Sequence, residues 1–390
     1  MRQLRCFLPG EQHFLGGRTV NEEFALHPYA PPGCWPKLQA VHRLSRKERR
    51  ALLREGRRCV EKTRKLTELV AFHEDQGTKP PPIAIHDFPN SIPNIFGAVL
   101  AKAVERSEVE LLCAIAMSNH HHILPRDGKG NLALFNEYFH GQLARQVNIF
   151  LDRRYALWGR RMSTKRVLGA KAEFERALYI LSNPLSANLV ARADQWPGFN
   201  CFESFVTGKP MRFLCMDRTR WHRNKRPKNI APYLSTVTLE LAAPSGDGIG
   251  TMDKRQWQKR VVETVVAREQ TLHIERQKTG KKVLGLEGLL ETLPSDRPKQ
   301  PKNSPGPMVH SHCPITRKVY TRNFRLFEQQ TREAMRRYMK GEIDVIFPPG
   351  AQVPGRFPRP RYPDDPDRAP LVHLSRINIA LEVEAIRQFR

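Results

Sequence analysis

The chain has 390 residues, long for one compact domain, and 40% of them are hydrophobic, enough to build a real core. Lys and Arg number 65 against 39 Asp and Glu, a net charge of +26 that favours a polyanionic partner; with 19 Phe and 5 Trp beside it, nucleic acid is the first candidate. No apolar run is long enough to span a bilayer, and the opening MRQLRCFLPGEQHF lacks the apolar stretch and cleavage site of a secretory signal, so a cytoplasmic location is expected. The 7 cysteines are scattered without a C-x-x-C, which reads as reduced thiols and excludes a zinc ribbon.

Prolines mark the first seams, at 28–36 and 79–84. Between them, 41–72 reads as a basic helix. Leu44, Leu52, Leu53, Val60, Leu66, Leu69 and Val70 recur mostly at helical spacing, and Arg46, Lys47, Arg49, Arg50, Arg54, Arg57, Arg58, Lys62, Arg64 and Lys65 fill much of the remainder. A solvated face and a phosphate-facing one explain those cations equally well. The spacing then predicts a helix over 93–107, with Pro93 in its first turn, and a buried strand over 109–117. Ser118-Asn119 supplies a turn, and 120–124 (HHHIL) resumes an extended pattern, giving a hairpin whose second strand carries three histidines. A long helix is expected over 131–154, a basic, aromatic-laced loop over 153–166, and a helix over 171–182 ending before Pro184. Further on, 235–241 reads as a strand, 253–277 as a polar helix, 292–309 as a Pro-rich linker, 322–341 as a helix, 348–370 as Pro-rich and 375–389 as a terminal helix.

The histidine strand carries the first chemical signal. His120 and His122 at i and i+2 point to one face of a strand while His121 points to the other. Two imidazoles on a rigid face form part of a ligand set for a divalent metal and need a third donor. Tyr179 and Asn183, at i and i+4, lie one helical turn apart, and the residue before Pro184 belongs at the helix end, where its amide oxygen can reach outward. Tyr138 and Gln142 have the same spacing, and periodicity does not choose between the two tyrosines. A second H-x-H, His310 and His312, lies against the linker with no strand to fix it and is read as incidental.

Residues 91–205 resemble the HUH-type single-tyrosine transposases, and in particular the REP-associated tyrosine transposase branch. The family's Met-Pro-Asn-His-hydrophobic-His is similar to Met117-Ser118-Asn119-His120-His121-His122; residues 135–161 resemble its following helix and Trp-Gly-Arg-Arg loop; and YILSNPLSANLVARADQWPGF (179–199) is similar to its Tyr-Ile-x-x-Asn-Pro block. An FPPG at 347–350 matches the texture of longer bacterial members. Ser118 stands where the family has Pro, implying a looser turn. His121 stands where a hydrophobic residue is usual, implying a poorer core residue or an alternative ligand.

The resemblance implies an α+β fold with a ferredoxin/RRM-like HUH core, an antiparallel sheet and flanking helices, extended by basic helical segments at both ends. The expected organisation is an N-terminal extension (1–80), a catalytic core (81–210), a basic accessory region (211–291), a linker (292–311) and a C-terminal helical region (312–390), with the first strand at 23–28 or 82–87. It makes Tyr179 the nucleophile and His120, His122 and Asn183 the ligands of Mg²⁺ or Mn²⁺, in a mobile-element enzyme that nicks and rejoins hairpin-bearing single-stranded DNA through a 5′-phosphotyrosine, as a monomer or homodimer. Arg145, Arg153, Arg154, Arg160, Arg161, Lys165 and Arg166 are the expected phosphate contacts, with Tyr155 and Trp158 stacking on bases or packing against the long helix. The alternative is a catalytically silent or domesticated DNA- or RNA-binding protein of the same fold.

Overall fold

The structure is a computed structural model that describes residues 5–40, 44–85, 88–245, 252–298, 307–342 and 344–351. In chain order the first elements are β1 (Glu11–Arg18), α1 (Trp35–Ala40), α2 (Arg46–Asp75), α3 (Ile92–Ser107), β2 (Glu110–Ala116), β3 (His120–Asp127), α4 (Leu132–Leu151), β4 (Ser163–Leu168) and α5 (Ala170–Leu181). There follow α6 (Asn183–Ser186), α7 (Phe202–Thr207), β5 (Met211–Met216), α8 (Arg218–Arg223), β6 (Leu234–Leu239), α9 (Lys254–Thr279), α10 (Gly285–Leu289), β7 (Val309–Ser311) and α11 (Pro314–Met339). The fold is α+β, with a mixed five-stranded sheet in the order β2-β3-β1-β4-β7. All pairings are antiparallel except β4 with β7.

The hairpin that begins the sheet forms for local reasons. Ser118 and Asn119 make a two-residue turn closed by Met117 N–H donating to the His120 carbonyl (2.8 Å). The Ser118 carbonyl accepts from Leu26 N–H (2.8 Å), so the turn expected to be loose is tied to the N-terminal segment. β3 ends at the buried Asp127, whose carboxylate accepts from the N–H groups of Asn131 (2.8 Å) and Leu132 (2.9 Å) and so caps α4. From there Phe135, Phe139, Leu143 and Val147 recur every four residues and are fully buried between sheet and helix.

The first strand lies neither at 23–28 nor, among the described residues, at 82–85; residues 86 and 87 of the second expected range lie outside the described residues. It is β1, at 11–18, and it occupies the centre of the sheet, so the segment read as an extension supplies a core strand. Its Gly16-Gly17 pair sits opposite His122 and His121 in register. A Cβ on Gly17 would lie 2.3 Å from His121 Cε1 and 2.7 Å from His140 Nε2; one on Gly16 would lie 3.3 Å from His122 Nδ1. Each glycine therefore makes room for one imidazole, on opposite faces of the sheet.

The helices divide between the two faces. Phe96 of α3 and Phe139 of α4 meet His121 edge-on (5.8 and 5.3 Å), so these helices cover one face. α5 covers the other, with Tyr179 against His122, and α9 lies behind α5. The two-stranded β5–β6 sheet packs on α3 and α2, where the absence of a side chain at Gly97 admits Phe213 and the Asn94 amide bonds both Leu214 N–H (2.9 Å) and its carbonyl (3.0 Å). The outer edge of β2 is covered by 196–201, with Ala116 N–H bonded to the Phe199 carbonyl (2.9 Å). The other edge is closed by β7, so the last three residues of the segment read as linker form a sheet strand. The FPPG segment is fixed by Phe7 N–H donating to the Gly350 carbonyl (3.1 Å). The helix expected near 375–389, and the Pro-rich stretch beyond 351, lie outside the described residues. No helix among the described residues is long and apolar enough to cross a membrane.

Candidate active site

Strand alternation and the placement of α5 bring together one group of side chains. His120 and His122 project from the same face of β3, ring centroids 5.1 Å apart. The Tyr179 ring is 5.3 Å from His122, and Phe14 of β1 stacks on His122 (4.9 Å, 22°) while meeting Tyr179 edge-on at 5.9 Å. Tyr179 is 42% exposed, which leaves its hydroxyl open to a substrate. The competing Tyr138 lies in the other layer, on α4, under the Arg106 guanidinium (5.4 Å). Spacing alone left those two tyrosines equal; the three-dimensional arrangement brings Tyr179, and not Tyr138, to the histidine pair.

The histidines are set up as neutral donors. Asn119 Nδ2 donates to the Glu22 carbonyl (3.3 Å), which turns Asn119 Oδ1 toward His120 Nδ1 (2.8 Å). That places the proton of His120 on Nδ1 and leaves the Nε2 lone pair outward, the arrangement that orients ligating imidazoles elsewhere. Burial, then the Arg18 charge, lower the His120 pKa to about 4. His122 is held well below the usual range by burial first, then by His120, against a raising contribution from the Leu15 backbone, with Arg18 and Arg176 adding to the depression. His122 Nδ1 is buried with no hydrogen-bond partner. An orphaned imidazole nitrogen beside a second neutral imidazole fits a cation. Among the described residues no three of His, Cys, Asp and Glu cluster to hold a metal, so a third protein ligand would have to be of another type, such as the amide of Asn183. Asn183 opens α6, separated from α5 by Ser182 alone, one turn beyond Tyr179 and half-buried.

His121 takes no part in this face. It is fully buried among Phe96, Phe139, His140 (5.3 Å) and Trp158 (5.2 Å), with neither ring nitrogen hydrogen-bonded. Of the two roles open to it, core residue or alternative ligand, the structure places it in the core.

The expected DNA contacts separate into two groups. Arg145, Arg154, Arg160 and Arg161 are exposed and form no ion pair among the described residues, and Lys165 is half-buried on β4. Arg153 is a correction: its side chain is fully buried, paired with Glu23 (2.8 Å), and lies against Tyr155 (3.7 Å) and Trp35 (4.7 Å). Arg166 is another, paired with the buried Glu11 (2.6 Å) and lying over Tyr320 (5.6 Å). A guanidinium held in an internal ion pair is not available to phosphate. Tyr155 donates to Glu23 (3.1 Å), and Trp158 stacks on His140 (4.5 Å, 14°) while its Nε1 donates to the His140 carbonyl (3.0 Å). Trp158 thus packs against the long helix, whereas Tyr155 is tied to Glu23 while remaining 37% exposed. On α2, Arg46 and Arg50 bind Glu291 and Arg49 faces Asp296 (3.5 Å), so part of that basic face docks the 287–296 segment.

Two neighbours of the site were not singled out from the sequence, and a third was set aside. Phe14 lay in an unassigned strand. Arg176, one turn before Tyr179, puts its guanidinium 5.2 Å from the Tyr179 ring centroid and 5.8 Å from that of Phe14; an Arg-x-x-Tyr spacing on a helix was its available signal. His310, set aside as lacking a strand, is carried by β7 to within 5.2 Å of Phe14.

No family model matches the chain, and no curated protein does. A solved structure, a REP-associated tyrosine transposase bound to a REP hairpin, is similar over 53% of this chain and 85% of that one, at 12% identity and a TM-score of 0.32. Likeness at that level fixes neither fold nor chemistry; the chain's own residues carry the reading that follows.

Proposed function

We propose that this protein is a transposase-like enzyme that nicks and rejoins hairpin-bearing single-stranded DNA. The observation that carries the reading is the exposed Tyr179 ring 5.3 Å from His122, on the face His122 shares with His120. The connectivity β1–α3–β2–β3–α4–β4 with strand order β2-β3-β1-β4, antiparallel throughout, supports a ferredoxin/RRM-like core of the HUH kind.

In this reading Tyr179 Oη attacks the scissile phosphorus. A new P–O bond to tyrosine forms as the bond to the 3′-oxygen breaks, the phenolic proton passes to solvent, and the departing oxygen takes up a proton to become a free 3′-OH. The phosphodiester energy stays in the 5′-phosphotyrosine, so an incoming 3′-OH reverses the step without ATP. Mg²⁺ or Mn²⁺, held by His120, His122 and Asn183, would supply polarisation of the phosphate and neutralisation of its charge. Asn119 fixes the His120 tautomer, Phe14 holds the His122 ring by stacking, and the Arg176 guanidinium over Tyr179 restrains the phenol. Arg145, Arg154, Arg160, Arg161 and Lys165 would contact the DNA backbone.

Covalent trapping tests this directly. Hairpin-bearing single-stranded oligonucleotides are incubated with the protein and Mg²⁺ or Mn²⁺, resolved under denaturing conditions, and any adduct is mapped to a peptide. The expected result is an adduct on Tyr179 that vanishes with chelator or in Tyr179→Phe. An adduct on Tyr138 would move the site, and salt-sensitive binding without any adduct would leave a silent DNA-binding protein.

A further inference from the structure

The loop that joins β5 to β6 takes no part in the reaction above, yet it is the densest run of charge around the small sheet. Arg218, Arg220, Arg223, Lys225, Arg226 and Lys228 are all exposed, and the one acid beside them, Asp217, accepts from Arg220 N–H (2.9 Å). A cation or two at the end of a short helix complements its dipole; six within residues 218–228 exceed that need and repel one another. The loop also has a fixed shape. α8 closes with Arg226 N–H donating to the Trp221 carbonyl (3.0 Å) and Lys225 N–H to the His222 carbonyl (3.1 Å), the pattern that ends helices on a glycine. Here the left-handed positions are Lys225 (φ 58°) and Arg226 (φ 55°). Side chains in that region strain the backbone, and such strain persists only where the surroundings enforce it. They do so here: Trp221 packs on the cluster of Val70, Ile83 and Ile230 while its Nε1 donates to the Pro227 carbonyl (3.0 Å), and Asn224 Nδ2 donates to the Tyr233 hydroxyl (3.0 Å). Glycine is the relaxed residue at 225; a lysine there costs stability and adds an ammonium.

The chemistry of the loop selects a partner that shows phosphates and hides bases. Single strands are held by stacking as well as by charge, and the loop offers no free ring: Trp221 is half-buried, and His222 meets it edge-on (5.1 Å) while its Nδ1 accepts from Arg226 Nε (2.9 Å). No apolar side chain of residues 218–228 is exposed to enter a bilayer. We propose that this loop docks on the backbone of double-stranded DNA. Arg218, Arg223, Lys225 and Lys228 would contact phosphates, since Arg220 lies over the Tyr233 ring (5.5 Å) and Arg226 is bonded to His222. β5 and β6 pack on α3 and α2, on the side of the main sheet away from His120, His122 and Tyr179, so the contact is separate from the covalent step. This inference rests on the reading of the protein as DNA-binding and names the duplex part of that DNA, such as a hairpin stem, as what the loop holds.

The test uses the full chain with a labelled blunt DNA duplex, labelled oligothymidylate and phosphatidylserine vesicles, each titrated between about 50 and 200 mM salt. Lys225→Gly relaxes the backbone while deleting the charge, so its urea midpoint should equal or exceed that of the wild type. Its duplex affinity should fall about eightfold at about 100 mM, with the slope of log K against log salt shallower by about 0.9, the value for one duplex phosphate contact. Its affinity for oligothymidylate should not change. Lys259→Gln, an exposed lysine on α9, should leave the duplex slope unchanged. Wild-type duplex affinity and slope in Lys225→Gly overturn the docking surface, as does an equal loss on oligothymidylate or a loss confined to vesicles. Should that variant fail to fold, Arg223→Gln and Lys228→Gln decide, and wild-type duplex slopes in both overturn it. A Tyr179 adduct with a duplex slope independent of the loop removes only the docking surface, whereas a loop-dependent slope with no adduct removes only the nicking reaction.

Discussion

β3 carries three consecutive histidines whose surroundings differ according to the face they occupy. On one side His121 is sealed among Phe96, Phe139, His140 and Trp158, with neither ring nitrogen satisfied. On the other, His120 is oriented by Asn119, and His122 lies between Phe14 and an exposed tyrosine. The same side chain is a packing unit on one face and a prospective ligand on the other, decided by what each face brings opposite it. β1 repeats the division, since Gly17 opens space for His121 and Gly16 for His122. The comparison can be broken face by face.

The largest stability effect should come from the sealed side. Gly17→Ala places a Cβ 2.3 Å from His121 Cε1 and 2.7 Å from His140 Nε2, and both rings are held by aromatic neighbours that leave no room to yield. A loss of about 3 kcal/mol is expected, at the upper end for overpacking, read as a lower urea midpoint. An unchanged midpoint would mean that this pocket is loosely packed.

His121→Leu should act in the opposite direction. It exchanges a buried imidazole with two unsatisfied nitrogens for an apolar side chain, so a gain of about 1 kcal/mol is expected, with adduct formation on Tyr179 retained. Loss of the adduct in this variant would show that the two faces are coupled through the strand.

That division also explains what could be read from the sequence. The β2–β3 hairpin, α3, α4 and α5 follow from the sequence pattern, β2 from an apolar run buried on both sides and the helices from their spacing, each with a clear stop. β1 does not, because EQHFLGGR buries Glu11, Gln12 and His13, whose pattern is polar; the ion pair that accommodates Glu11 comes from Arg166, far along the chain. β7 is three residues long and follows a Pro-rich stretch, so nothing local identifies it. Arg153 and Arg166 were read as surface cations because their acids, Glu23 and Glu11, are long-range partners. The histidine pair and Tyr179 were legible through alternation and resemblance, whereas Phe14, Arg176 and His310 join the site only once β1, α5 and β7 are placed around it.

The smallest stability effect separates geometry from stability most cleanly. A Cβ on Gly16 would lie 3.3 Å from both His122 Nδ1 and Ser163 Oγ, tight enough to shift a neighbour by a few tenths of an ångström without breaking the core. Gly16→Ala should therefore cost no more than about 1 kcal/mol, yet slow adduct formation about tenfold if His122 acts as proposed, because small displacements of a positioned group are expensive in rate. If the His122 displacement is the cause, Gly16→Ala/Ser163→Ala stays slow; if the crowding is at Ser163, the double variant recovers. Recovery would mean that Gly16 serves the β1–β4 pairing, and the parallel with Gly17 and His121 would then hold on one face only.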